Sequence, residues 1–444
     1  MAESKRAGRG ASQRRSRERR EQLLRAALDV LERGGPKAVT HRAVSEAAGL
    51  PPATAVYYFP SVADLLTEAL AFHMEERAAW LRSLGASIAG RTTGTRMTAV
   101  ELAERLAARR DDLMIADFEA LLEAARNPAF RPATLAARRE VEQLLGGALE
   151  QIGAGEHAAT AARLCLTLLT GFGLQQLAFG REEVTATTVT DALGAVFAYA
   201  VADPGEREQI CRALAAPLAA PLQPTCRASP APRAASTAAA GRGASQQRSR
   251  ERRDQLLSAA IGLFESGGSK ALTHRAVSQA AGLPPATAGY YFASIEELLI
   301  GAAEFRVRGR LDQIAALMDA FRETVGSPLD LIERTAKALG HDGPGPSTTD
   351  VELFLEAARD REFRPVAAAS RRDFEAVTVD YVVQLGVRDA LGGARSYLAL
   401  IDGLALQRLA GGEDEPDTAL LVEALVALGH FYLIPGGAPG ACDR

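Results

Sequence analysis

The sequence has few aromatic residues: 5% of its 444 positions, with a single Trp. Strands draw heavily on aromatic and β-branched side chains, so this shortage, beside abundant Ala, Arg, Leu and Gly, predicts an all-α fold and argues against a sandwich or barrel. Cysteine is also scarce. Cys165, Cys211, Cys226 and Cys442 are far apart and match no metal-ligand or redox spacing. They read as free thiols of a reducing compartment, with a Cys211–Cys226 disulfide as the alternative. No run approaches the length of about 18 apolar residues that a membrane-spanning helix requires. The first twenty residues are polar and basic, with no apolar stretch of the kind a secretory leader needs. The expected location is the cytoplasm. Sequence motifs for phosphate-binding loops, zinc proteases and nucleophile elbows are missing. No enzymatic activity and no cofactor are expected. The six histidines are scattered, and His41 and His274 have no companion ligand in register, so no metal site is expected. Taken whole, a net charge of −4 on 51 basic and 55 acidic residues argues against a nucleic-acid partner.

The chain is written twice. Residues 8–24, GRGASQRRSRERREQLL, return at 241–257 with 15 of 17 positions identical. Residues 40–59, THRAVSEAAGLPPATAVYYF, return at 273–292 with 18 of 20 identical, at the same offset of 233. Residues 117–132 return at 350–365 with 10 of 16 identical, and GFGLQQLAFG at 171–180 answers DGLALQRLAG at 402–411, with Gly171 facing Gly403. Copies of this length are too long for solenoid repeats, so this is a duplicated protein. Residues 204–244, rich in Pro, Ala, Ser and Gly, read as a linker between them, with a root-mean-square reach of roughly 35 Å if flexible.

Divided by region, the charge has a different meaning. Residues 1–60 hold 12 basic and 6 acidic residues, and residues 241–292 hold 7 and 3. The remainder holds 32 and 46, so two basic modules sit on an acidic body. That is the electrostatic footprint of a nucleic-acid binder.

Each basic module reads as three helices. Leu23, Leu24, Ala27, Leu28 and Leu31 form one helical face, with Ser16 as candidate N-cap and Gly34-Gly35 as the stop. In the second copy the face is Leu256, Leu257, Ala260, Ile261 and Phe264, stopped at Gly267-Gly268. A short helix follows from Thr40 to Ala48. Gly49 supplies a tight turn, Leu50 tucks into the core, and Pro51 or Pro52 opens a third helix. The pattern is a helix-turn-helix with a recognition helix.

The stretch AVSEAAGLPPATAVYYFPSVADLL resembles the N-terminal signature of the TetR family of bacterial transcriptional regulators. Ala48-Gly49, Thr54, Tyr57, Tyr58 and Phe59 fit it, as do Ala281-Gly282, Thr287, Tyr290, Tyr291 and Phe292. The sequence departs from the pattern at Val56 and Gly289, at Val62 and Ile295, and at the Pro-Pro pairs opening the recognition helices. The resemblance implies two tandem units, each a helix-turn-helix domain followed by a larger helical ligand-binding and dimerisation domain. The expected division is 1–60 and 61–203 for the first copy, 204–244 for the linker, and 245–293 and 294–436 for the second.

Contacts to double-stranded DNA are expected from a basic arm at Arg14, Arg15 and Arg17, continued by Arg19 and Arg20, and at Arg248 and Arg250 in the second copy. Thr40, His41 and Arg42, with Thr273, His274 and Arg275, suit phosphates or nearby base edges. The recognition helices offer Pro52, Ala53, Thr54, Val56, Tyr57 and Tyr58, and Pro285, Ala286, Thr287, Gly289, Tyr290 and Tyr291. Tyrosine and threonine hydroxyls would reach phosphates, and the methyls of Ala53, Ala55 and Val56 would meet thymine methyls. Phe59 is read as core, and Tyr58 as either core or contact.

The remaining residues show helical stripes throughout. By resemblance, 157–180 with 184–202, and 391–411 with 417–434, are the dimerisation helices. A small-molecule effector is expected to meet Phe118, Leu122, Phe172 and Gln175 in the first copy, and Phe354, Asp402 and Gln407 in the second. The implied function is that of a ligand-responsive regulator, more often a repressor, acting on a palindromic operator. The two copies are expected to pair within the chain on one operator. Two alternatives stay open: pairing between chains, giving a homodimer with four heads, and a body that is structural or protein-binding and senses no small molecule.

Overall fold

A computed structural model describes residues 2–89, 95–109, 114–128, 130–180, 182–223, 243–267, 271–322, 324–342, 348–359, 364–411 and 418–433. Among these residues every regular element is helical and no strand occurs. The first copy contains α1 (Ala2–Ala38), α2 (His41–Ala47), α3 (Ala53–Tyr58), α4 (Val62–Ala89), α5 (Thr95–Arg109), α6 (Met114–Arg126), α7 (Arg131–Gln151), α8 (Ala158–Phe179) and α9 (Ala186–Val201). After α10 (Pro204–Leu214), the second copy repeats the order as α11 (Gly243–Gly267), α12 (His274–Ala280), α13 (Thr287–Tyr291), α14 (Ile295–Arg322), α15 (Pro328–Asp342), α16 (Thr348–Arg359), α17 (Arg364–Gln384), α18 (Ala390–Leu409) and α19 (Thr418–Leu433).

The first helix starts earlier than the Ser16 cap predicts. Arg, Glu, Gln and Ala are good helix formers, Arg14 and Glu18 pair one turn apart, and Ser16 lies in mid-helix. Its end does lie at the double glycine: Gly35 takes φ 70°, a conformation closed to most side chains, and Pro36 follows.

Each basic module closes a small core, which in the first also takes in Ala116, Ala120 and Ala124 of α6 and Ala410 of the second copy. In the first, Leu23, Leu24, Leu28 and Leu31 of α1 pack on Val44, Ala55, Phe59 and the start of α4. The second repeats this with Leu256, Leu257, Phe264, Val277, Ala288 and Phe292. The bodies do not have separate cores. One apolar cluster runs from Leu102, Leu145 and Phe197 of the first copy to Ala399, Leu421 and Leu428 of the second. A further cluster joins Phe118, Leu122 and Leu174 to Phe354, Leu355 and Leu406.

At the centre of this shared core α8 crosses α18. A Cβ on Gly171 would overlap the Ala399 carbonyl, and a Cβ on Gly403 would overlap that of Thr167. Aligned through the glycines, Thr167 corresponds to Ala399, so each copy presents the same crossing to the other. Such reciprocal contacts are the signature of two-fold pairing. Polar bonds ring the crossing: Gln175 donates to the Arg395 carbonyl at 2.9 Å, Gln407 donates to Thr167 Oγ1 at 2.5 Å, and Arg359 pairs with Glu119 at 2.6 Å.

Part of the stretch read as linker is ordered. Residues 204–214 form α10, opened by a capping box between Asp203 and Glu206 with Pro204 at its first turn. Its Ile210 and Leu214 pack on Val426 of the second copy. Leu218 donates its amide to the Gly326 carbonyl at 3.0 Å, and Leu222 is buried with Val325 and Leu331. The reason is local: the alanine-rich composition hides an amphipathic turn and three leucines. Residues 224–242, with Cys226, lie outside the described residues, as do 434–436 and Cys442. Cys165 is a buried free thiol and Cys211 a half-buried one.

Candidate nucleic-acid interface

Two helix-turn-helix units are assembled alike. Thr40 caps α2 by accepting from the Ala43 amide at 3.1 Å, and Thr273 accepts from Ala276 at 3.1 Å. Gly49 and Gly282 turn the chain at φ 65° and 67°. A fully buried serine then fixes the next helix: Ser45 Oγ accepts from the Ala55 amide at 3.2 Å, and Ser278 Oγ from Ala288 at 2.9 Å. Sequence reasoning passed over these serines. The available signal was a polar residue on the apolar face of α2, beside Val44, at the same place in both copies.

This frame leaves one face of each recognition helix in solvent. Tyr57 is 83% exposed and Tyr290 85%, extreme values for aromatic side chains in a folded domain. Val56 is exposed beside Tyr57. Pro52, Ala53, Pro285, Ala286 and Gly289 are exposed around them, while Thr54 and Thr287 are half-buried. Ala55, expected to offer a methyl to DNA, is instead fully buried, as is Ala288, because their amides face the serines of the preceding helices. Phe59 and Phe292 are core.

Tyr58 and Tyr291 sit between the core and the exposed face. Each is half-buried, stacks edge-on against its exposed neighbour at 5.2 and 5.3 Å between ring centres, and bonds a serine of the first helix. The pairs are Ser16 with Tyr58 and Ser249 with Tyr291, both 3.2 Å. The arm residues Arg14, Arg15, Arg17, Arg248 and Arg250 are exposed along α1 and α11, with Arg42 and Arg275 exposed at the start of α2 and α12. Arg20 is committed elsewhere: it lies over the Phe59 ring at 5.3 Å and pairs with Glu68, and Arg253 repeats the stacking on Phe292. His41 is turned inward, its Nε2 bonded to the Phe59 carbonyl at 2.9 Å. His274 is placed likewise, but its Nε2 is buried without a hydrogen-bond partner. Both rings turn Nε2 toward the protein.

The residues expected around an effector are all buried, but the structure gives most of them other work. Asp402 receives a two-pronged bond from Arg371. Gln175 and Gln407 bond across the α8–α18 crossing. Phe172 belongs to the shared core, and Leu122 and Phe354 to the cluster that joins the copies. Phe118 lines a cavity of about 80 Å³ bounded by Arg77, Asp117, Thr134 and Arg138. Burial alone would raise Asp117, but Arg77 and His73 beside it more than offset this and hold its carboxyl below the ordinary value. No group of His, Cys, Asp and Glu able to hold a metal occurs among the described residues. No described helix is long and apolar enough to cross a membrane.

Comparison with known proteins agrees with this geometry. Residues 23–69 and 256–302 both match the family model described as bacterial regulatory proteins, tetR family. Residues 90–199 and 324–428 both match the tetracyclin repressor-like C-terminal domain. The HTH-type transcriptional regulator BetI of Rhizobium meliloti (strain 1021) is 27% identical over 183 residues, spanning 41% of this chain and 87% of that one. The HTH-type transcriptional repressor KstR of Rhodococcus jostii (strain RHA1) is 35% identical over 128 residues, spanning 29% and 55%. Among solved structures, a TetR-family member from Streptomyces coelicolor A3 is 29% identical and covers 40% of this chain and 98% of its own, with a TM-score of 0.33. With both parts of the family architecture matched twice, the chain belongs to the TetR family and is a DNA-binding transcriptional regulator, not an enzyme.

Proposed function

We propose that one chain acts as a single-chain pseudo-dimer, placing its two heads on the two halves of a near-palindromic operator in the cytoplasm. The observation that carries this is the reciprocal crossing of α8 and α18, in which Gly171 meets Ala399 and Gly403 meets Thr167. Pairing between chains would need both copies to give up this shared core. Covalent joining raises the effective concentration of the partner copy to the millimolar range, so assembly does not depend on protein concentration. The heads are nearly identical, so the two half-sites are nearly identical, centred about one helical turn apart, roughly 34–36 Å.

In this reading Tyr57, Tyr290 and Val56 enter the groove, with Ala53, Pro52, Ala286, Pro285 and Gly289 at its edge. Thr54, Thr287, Thr40, Thr273, Tyr58 and Tyr291 present hydroxyls to the backbone. Arg14, Arg15, Arg17, Arg42, Arg248, Arg250 and Arg275 neutralise phosphates. Transcription is repressed while the operator is occupied, and a ligand that favours misspaced heads releases it. Selection of bound sequences from random DNA, followed by mass measurement of the complex on the winning site, tests the reading. Two half-sites and one chain per duplex are expected; two chains on a minimal two-half-site duplex would overturn it.

A further inference from the structure

Each body holds a cavity, and the two lie in different places. The larger, about 140 Å³, is in the second body between α14, α15, α17, α18 and α19. Alignment of the copies shows how the first body differs there. Where the second has Gly429, Thr335 and Thr378, all lining the space, the first has Phe197, Leu102 and Leu145. Those three are buried to within 1% of full enclosure, so larger side chains occupy the corresponding places in the first body. The wall of the first body's smaller cavity is also changed in the second. Thr170 and Val141 on its wall become Asp402 and Phe374, and Asp402 is joined by Arg371. The duplication has therefore produced two different bodies.

We propose that the second body alone binds a small, neutral, aromatic molecule, one per chain, in the cavity beside Gly429. This names the ligand class for the response proposed above and rests on that reading only for what binding does to DNA. No Asp, Glu, Lys, Arg or His lines the space; its polar groups are threonine and tyrosine hydroxyls. A charged ligand would shed its hydration there and find no counter-charge. Burial pushes the Tyr397 phenol up to about 12, so it stays neutral and able to donate. The Tyr432 hydroxyl is held by Ser396 at 2.9 Å. Apolar cavities of roughly 150 Å³ admit a benzene ring. The walls of the first body's cavity carry Arg77, Asp117 and Arg138, whose pairing an apolar ring would desolvate without replacing. The segment joining the copies packs against α19 at this glycine. Leu214 and Ile332 lie 3.5 and 3.4 Å from the place a Cβ on Gly429 would take.

The test is a ¹⁹F NMR titration of the full chain with 4-fluorophenol, neutral at pH 7, and with the 4-fluorobenzoate anion. One bound equivalent of 4-fluorophenol per chain is expected, and no bound 4-fluorobenzoate. Gly429→Phe, which gives the second body the residue of the first, removes the bound signal; the double variant T335L/T378L does the same by lining the space with the first body's leucines. Thr134→Leu, in the other cavity, leaves it. Two bound equivalents, equal binding of the anion, no binding up to the solubility limit, or a signal that survives in folded Gly429→Phe each overturn the proposal. Binding is read without DNA, so a loss of operator response with the probe bound overturns the ligand-release mechanism and leaves the site standing.

Discussion

At the residue scale the heads separate side chains that hold from side chains that reach. Tyr57 and Tyr290 stand in solvent and contribute almost nothing to the fold, so Tyr57→Ala or Tyr290→Ala shifts stability by less than about 0.5 kcal/mol. Each weakens operator binding by about 1–3 kcal/mol, measurable as a loss of roughly fivefold or more by fluorescence anisotropy. Ser45→Ala gives the reverse profile. It strands the buried Ala55 amide and costs about 1–3 kcal/mol of head stability by denaturant titration, with DNA affinity falling only as the head unfolds. Asp117 makes a pH prediction. Its folded-state carboxyl is held below the ordinary 3.8, so its stabilisation is present above that value and lost as pH falls through the folded one. Asp117→Asn is therefore less stable than wild type at neutral pH, and the gap in melting temperature narrows toward pH 3.

At the element scale, α3 and α13 differ by one residue of length and by Val56 against Gly289. A Cβ on Gly289 would meet no atom within 4 Å, so no packing argument requires glycine there. Gly289→Ala should stabilise the second head by about 0.5–1 kcal/mol, read as a higher denaturation midpoint. The helix-turn-helix was legible because its signals are local: a cap at Thr40, a left-handed turn at Gly49, and an apolar stripe every three to four residues. Three features were not legible. The first helix begins well before Ser16 because helix propensity outweighed a candidate cap. The α10 segment was masked by its Ala and Pro content, though its Asp203–Glu206 capping box was there to be read. The packing roles of the effector candidates were hidden because aromatic and amide side chains on a buried helix face look the same whether they line a cavity or cross to a partner helix. Only the packing of α8 on α18 decided for Gln175 and Gln407.

At the scale of the whole molecule, the pairing of copies and the charge distribution make separable predictions. Basic arms supply affinity by releasing counterions, with a slope of log K against log salt of about −0.9 per phosphate neutralised. Replacing Arg248 and Arg250 with Ala should make that slope shallower by about two while leaving the preferred sequence unchanged, since phosphate contacts carry no base identity. Gly171→Leu acts on the other variable. Its side chain has no room beside Ala399, so it forces α8 and α18 apart while touching neither head. Operator affinity then falls because the two heads no longer hold the spacing of the half-sites, and the avidity from tethering is lost. Affinity for a duplex with a single half-site stays near the wild-type value. Anisotropy titrations on one-site and two-site duplexes, at two salt concentrations, distinguish the outcomes. An equal loss on both duplexes would mean that the crossing stabilises the heads themselves, and the pseudo-dimer would not be what sets their spacing.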